Sequence, residues 1–153
     1  MSFHRNCALI VLNFALAAVG CASSIPRVSF EELVDGSETI VSGRAVRSWQ
    51  AWDRSHQFIW THCEFEVRDV GKGSAAKRLI VSEPGGTVDG TTMVIPGTIQ
   101  FPEGKDLLLF LYKTPIGYLR TVGEEQGEYV GLQAGELRQR VTAYLHRKRG
   151  YSK

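Results

Sequence analysis

Alternation between apolar and polar residues marks the middle of the chain and predicts a β-strand there. Between His56 and Val70, the residues Ile59, Cys63 and Phe65 fall on one face of that strand, whereas His62 falls with charged residues on the other. Because neighbouring strand residues point to opposite faces, Cys63 is predicted in the core, and His62 and Cys63 cannot form a chelating pair.

Further strands are predicted from short runs of β-branched, aromatic and aliphatic residues separated by turns that contain Gly or Pro. They are Thr39 to Trp52, Arg78 to Val81, Met93 to Ile95, Leu107 to Tyr112, Leu119 to Val122 and Glu128 to Leu132. The last two are expected to pair with each other around the turn at 123–127. Gly43 inside the first strand predicts a bend or bulge. The run LLLFLY at 107–112 is apolar on both faces and predicts a fully buried strand.

Helical signals flank this β-rich region. Ser29 and Glu32 form a capping box that predicts a short N-terminal helix. After Gly135 the apolar positions Leu137 and Val141 follow a helical period, and Gly150 is the expected end. We therefore predict an all-β barrel or sandwich over residues 29–134, preceded by a tether at 21–28 and followed by a basic amphipathic helix over 135–153.

The N-terminal segment predicts export. An apolar run follows Arg5 but is too short to span a membrane, so residues 1–20 are interpreted as a signal peptide. The sequence Ala18-Val19-Gly20-Cys21 resembles a bacterial lipobox. This resemblance implies cleavage between Gly20 and Cys21, fatty acylation of Cys21 with chains such as palmitate, and anchoring in a membrane. Ala22 then favours the outer membrane of a Gram-negative host. The alternative is an ordinary secretory signal that releases a soluble protein.

Four motifs resemble those of a widespread group of exported bacterial proteins of unknown function. They lie at Ser42 to Val46, Val67 to Gly73, Gly104 to Leu111 and Gln126 to Tyr129. The pattern is more distantly similar to the N-terminal domain of tissue inhibitors of metalloproteinases and to netrin-type modules. This resemblance implies a small OB-fold-like barrel in Greek-key order. In those inhibitors the N-terminal cysteine coordinates the zinc of the protease, and Cys21 has a comparable position here, although lipidation would block its amine.

Composition and charge narrow the functional classes. The chain has 153 residues, of which 22% are charged and 43% hydrophobic, as in an ordinary globular protein. Its net charge of +2 is too small to predict a nucleic-acid partner. That value combines a mildly acidic barrel region with a strongly basic C-terminal segment. The basic helix could pack with a solvated basic face, or it could contact anionic lipid.

The sequence offers no convincing catalytic or metal-binding set, so we predict no enzyme activity and no cofactor or metal. Asp53, Ser55 and His56 lie in a single turn, where a base, an orienting acid and a nucleophile cannot easily align. Glu64 and Glu66 share a strand face and are expected to form cross-strand ion pairs rather than a carboxylate pair.

Three tryptophans form the candidate ligand-binding surface: Trp49, Trp52 and Trp60. Exposed aromatic side chains on a barrel can bind sugar rings, peptides or bases. Trp60 is the best candidate for exposure because it alternates with charged residues. Our leading hypothesis is a lipid-anchored, non-enzymatic envelope module that binds an envelope protein or glycan. The alternatives are a soluble secreted protease inhibitor and a hydrolase of the envelope.

Overall fold

The structure is a computed structural model that describes residues 28–123, 126, 128–130 and 132–150. The predictions for the signal peptide at 1–20, for cleavage at Gly20 and Cys21, and for the tether at 21–28, except for its last residue, lie outside these residues. Within the described part of the chain, no helix is both long and apolar enough to span a membrane.

Two helices flank eight strands along the described chain, and most of them lie where the sequence predicts. The elements are α1 (Phe30–Gly36), β1 (Thr39–Trp52), β2 (Ile59–Lys72), β3 (Arg78–Pro84), β4 (Gly86–Val88), β5 (Thr91–Met93), β6 (Asp106–Lys113), β7 (Leu119–Thr121), β8 (Glu128–Val130) and α2 (Leu132–Gly150). The capping box of α1 is confirmed, since the Ser29 hydroxyl accepts from the amide of Glu32 and the Glu32 side chain accepts from the amide of Ser29. The strand predicted at Met93 to Ile95 is misplaced, because β5 ends at Met93. α2 begins three residues before Gly135.

Five strands close into a ring in the order β1, β2, β3, β7, β6 and back to β1. Neighbours in the ring are antiparallel, except that β3 and β7 are parallel. This closed Greek-key arrangement, with α1 before its first strand and α2 after its last, confirms the predicted all-β, OB-fold-like barrel.

β7 and β8 correct the predicted hairpin, because both pair with the same edge of β6. Thr121 of β7 pairs with Leu111, whereas Glu128 of β8 pairs with Leu109. Between them, the Val122 amide donates to the Phe110 carbonyl over 2.8 Å. Two three-residue strands make a marginal hairpin by themselves. Pairing with the long buried β6 is more favourable, so β7 and β8 lie one after the other along the same edge of β6.

Two cores explain why β6 is apolar on both faces. The barrel interior contains the buried Cys63, as predicted, together with Phe65 and Leu109. On the outside of β6, Leu108 and Phe110 belong to a second core: Leu33, Val34, Ile40, Leu108, Phe110, Leu137 and Val141. The two helices therefore cover the outer face of β6 and of β1 at Ile40, and they also contact the end of β2 at Asp69 and Lys72. The outer face around His62 and Ser82 carries no helix and remains available for a site.

The basic helix α2 is packed against this second core. The Tyr144 hydroxyl donates to Asp35 over 3.0 Å, and the Lys148 ammonium donates to the same carboxylate over 2.6 Å. The Arg140 guanidinium lies over the Phe30 ring at 4.5 Å from its centroid. α2 thus packs on the second core with most of its basic side chains exposed, and two of its cations, Arg140 and Lys148, have partners on α1.

A buried carboxylate closes the ring where backbone pairing is weakest. β3 and β7 share a single backbone register pair, Val81 with Leu119. Beside it, the Glu83 side chain is 1% exposed and accepts from the Thr121 amide at 2.7 Å and the Thr121 hydroxyl at 2.9 Å. Its second oxygen accepts from Arg120 at 2.9 and 3.1 Å. Side-chain hydrogen bonds of Glu83 therefore take the place of a backbone ladder between β3 and β7, a junction that we call the β3–β7 seam.

Candidate functional site

A cavity of about 490 Å³ lies on the outer face of β2 and β3. Its base follows from strand register, because Trp49 of β1 pairs with His62 of β2, and His62 pairs with Ser82 of β3. The loop between β6 and β7 covers this row. We call the cavity the β2–β3 pocket, and its main lining residues are Trp49, His62, Ile80, Ser82, Lys113 and Tyr118.

Aromatic contacts shape the pocket around His62. The His62 ring lies 5.4 Å from the Trp49 ring and 5.8 Å from the Tyr118 ring, the latter in an edge-to-face arrangement. Tyr118 also lies 4.6 Å from the ring of Trp60. The loop between β6 and β7 therefore carries Tyr118 across the outer face of β2, where it contacts two aromatic side chains.

The three tryptophans have different environments, which changes the predicted surface. Trp49 is 37% exposed and lines the pocket. Trp60 is only 9% exposed, so the prediction that it is the best exposed candidate is wrong, because Tyr118 packs against it. Trp52 stacks on His56, with ring centroids 6.1 Å apart, at the β1–β2 turn. Only Trp49 of the three is a wall of the cavity.

His62 and Ser82 form the polar part of the pocket. Their Nδ1 and Oγ atoms lie 2.8 Å apart, and burial lowers the pKa of His62 below its usual range. In hydrolases such a pair supplies a nucleophile and a base. Ser82, however, lies within a strand and is 1% exposed, so its oxygen is not presented to a substrate. The pair instead holds a neutral imidazole in a fixed orientation, which suits binding.

Positive side chains lie beside this pocket, where Lys113 lines it and Arg47 lies over the Trp49 ring. Glu64 accepts from Arg47 and from Arg78, each over 2.7 Å, and these hydrogen bonds hold the pKa of Glu64 below its usual range. The predicted cross-strand ion pairing is therefore confirmed for Glu64. The two arginine side chains remain 67% and 64% exposed, and Lys113 is exposed at the rim. Two arginines thus share one carboxylate, and Lys113 adds a third positive side chain at the pocket.

The turn that holds Asp53, Ser55 and His56 is structural. The Ser55 hydroxyl donates to Asp53 over 2.7 Å, and the second Asp53 oxygen accepts from the backbone amides of Gln57 and Phe58. These hydrogen bonds lower the pKa of Asp53, and the one from Ser55 has the largest effect. The carboxylate thus stabilises the tight β1–β2 connection, which agrees with the interpretation of this set as a polar turn.

A second cavity, of about 540 Å³, lies between the β1–β2 hairpin and the segment from β4 to Phe101. Several of its polar groups are hydrogen-bonded within the fold. Gln50 accepts from the Thr87 amide over 2.8 Å, and the Thr61 hydroxyl donates to the Gly85 carbonyl over 2.8 Å. These bonds attach the β4–β5 hairpin to the barrel. Across the described ranges, no three His, Cys, Asp or Glu side chains are grouped so that they could hold a metal ion.

Sequence reasoning missed Tyr118, Ile80, Ser82 and Lys113 as pocket residues. Tyr118 follows a Pro-Ile-Gly turn, so its local sequence indicates only a loop. Its position over β2 depends on β7 pairing with both β3 and β6, which no local pattern encodes. The chain matches no protein-family model, no curated protein and no solved structure.

Proposed function

We propose that this chain is an exported, lipid-anchored, non-enzymatic binding module of the bacterial cell envelope, and that the β2–β3 pocket is its binding site. The observation that carries the proposal is the pocket itself, which combines apolar and aromatic walls with a fixed hydrogen-bonding pair. Ligand sites typically have this composition and a volume of about 300–1,000 Å³. OB-fold proteins also bind ligands with strands 2 and 3 and the loop between their fourth and fifth strands, which correspond to β2, β3 and the β6–β7 loop.

The lipobox-like sequence ending at Cys21 supports the anchor. A bacterial lipoprotein carries two or three acyl chains on one residue, and two chains already give stable membrane binding. Metabolic labelling with a fatty-acid probe tests this directly. Cys21→Ser should abolish the label, whereas Cys7→Ser, inside the predicted signal peptide, should leave it unchanged. Labelling that persists in Cys21→Ser would exclude a lipid anchor at this residue.

Site-specific photo-crosslinking in living cells tests the pocket. A photo-reactive amino acid at Ile80, which lines the pocket and is 44% exposed, should give a defined adduct. The matched control is Val70, an aliphatic strand residue that is 38% exposed and lies outside the pocket lining. An adduct at Ile80 alone supports the proposal. Equal adducts at both positions, or none at Ile80, contradict it.

A further inference from the structure

We infer that the ligand of the β2–β3 pocket is a segment of a partner protein that inserts one bulky apolar side chain and carries acidic residues beside it. This inference rests on the proposed binding function and specifies its ligand. It follows from the side chains exposed around the pocket, from the state of its polar pair and from the charge at its rim.

The exposed apolar side chains favour a protein over a sugar. Ile80 is 44% exposed in the pocket wall, and Ile116, one residue before the lining residue Gly117, is 70% exposed. Aliphatic side chains gain from burial against other apolar groups, whereas a sugar brings hydroxyls that they cannot satisfy. Trp, Tyr and Arg are also the residues enriched at the energetic centres of protein interfaces. Trp49, Tyr118 and Arg47 supply all three here.

The hydrogen-bonded pair of His62 and Ser82 also favours an apolar side chain of a protein as the ligand. The Ser82 hydroxyl is already hydrogen-bonded to the His62 imidazole over 2.8 Å. Burial lowers the pKa of His62, which favours the uncharged imidazole. An apolar side chain can cover the His62–Ser82 pair without breaking its hydrogen bond, whereas an ionic head group would find no opposite charge in the pair.

The positive side chains beside the pocket indicate which residues of the ligand should flank its apolar side chain. Lys113 lines the pocket, and the Arg47 guanidinium lies 5.1 Å from the ring centroid of the pocket residue Trp49. Arg47 and Arg78 both donate to Glu64 and remain exposed. Complementary rim charges accelerate encounter and disfavour partners of the same sign. Acidic residues on either side of the inserted side chain would therefore lie against positive side chains. Binding should weaken as the salt concentration rises, because exposed charges are screened.

The test is selection from a phage-displayed library of random peptides on the full-length protein, purified in detergent from the membranes of cells that export it. Selected peptides should combine a large apolar residue with neighbouring Asp or Glu. Their affinity, measured by fluorescence anisotropy, should fall about tenfold in Ile80→Ser and in Lys113→Glu. The matched controls Val70→Ser and Lys105→Glu replace an exposed aliphatic residue and an exposed lysine outside the pocket, and they should bind as the parent does.

Several outcomes overturn the inference. Enrichment of basic peptides excludes an acidic partner, and equal losses in the pocket variants and their controls exclude this pocket as the peptide site. A glycan or lipid cross-linked at Ile80, without any peptide enrichment, excludes a protein ligand but leaves the binding function intact. The absence of both a cross-linked adduct and peptide enrichment overturns the binding function as well.

Discussion

Removal of the Glu83 carboxylate should open the barrel at its β3–β7 seam. Glu83→Ala deprives the buried Thr121 amide and hydroxyl of their acceptor and leaves Arg120, whose side chain is 21% exposed, without its carboxylate. A buried donor without an acceptor costs about 1–3 kcal/mol, and breaking a buried ion pair costs about 3–5 kcal/mol. Because these costs overlap, we expect the free energy of unfolding to fall by about 3–5 kcal/mol.

Chemical denaturation followed by tryptophan fluorescence measures this loss, since small single domains usually unfold in one cooperative transition. Glu83→Gln keeps one oxygen acceptor for Thr121 but removes the charge, so its midpoint should lie between those of the parent and Glu83→Ala. Asp106→Ala is the control, because Asp106 pairs with Arg44 and Arg68 through exposed side chains. Its midpoint should stay close to that of the parent, as exposed ion pairs contribute little.

Hydrogen exchange locates the effect. Loss of Glu83 should accelerate exchange of the Thr121 amide while amides of the long β1–β2 pairing stay protected, because local opening follows the weakest cooperative unit. If Glu83→Ala lowers the free energy of unfolding by less than about 1 kcal/mol, or if Thr121 keeps its protection, the carboxylate does not hold the seam and the argument is refuted.

The remaining predictions concern a bulge, a helix, a histidine and a lysine. Gly43→Ala should lower the free energy of unfolding by about 1–3 kcal/mol in denaturant melts, because the Cβ of the new alanine would lie 2.0 Å from the Glu66 carbonyl oxygen. Gly135→Ala, with open space around its Cβ in α2, should instead stabilise the fold by up to about 1 kcal/mol. The lowered pKa of His62 predicts stability that is lost as the pH falls below about 6.5, and an NMR midpoint at or above that value would refute this. Lys72→Met removes an ammonium that donates to two carbonyls at the end of α1, each at 2.6 Å, and thermal melting should show a loss of about 1.5–3 kcal/mol; an unchanged melting temperature would contradict it.

Local sequence patterns correctly predicted the features that depend only on a residue and its immediate neighbours in the chain. Alternation along β2 places Cys63 inside and His62 outside because strand geometry allows no other arrangement. Gly43 marks a real bulge, since the β1–β2 register shifts beside it. The same alternation failed for Trp60, because burial on an outer face depends on what covers it. Tyr118, which covers it, is 58 positions later in the chain.

The pairing of short strands was the second feature beyond local prediction. The turn at 123–127 is as compatible with a hairpin as with an insertion, and nothing in the local sequence distinguishes the two. The pairing is determined by β6. One edge of β6 pairs with β1, and its other edge is free to pair with both β7 and β8. Thr121 and Glu128 both pair with that edge, so a long-range partner overrode the expected local pairing.

The position of the candidate site follows from a contrast between two strands that the sequence already contains. A strand that is apolar on both faces, as β6 is at Leu107 to Leu111, requires a second layer outside the barrel, and α1 and α2 supply it. A strand that alternates, as β2 does around His62, needs no helical layer, and here Tyr118 of the β6–β7 loop packs on its outer face. The helices pack on β6 and on the end of β2, so a ligand has access to the outer face at His62. The pocket between Trp49 and Tyr118 therefore lies where the hydrophobic pattern leaves the sheet without a helix.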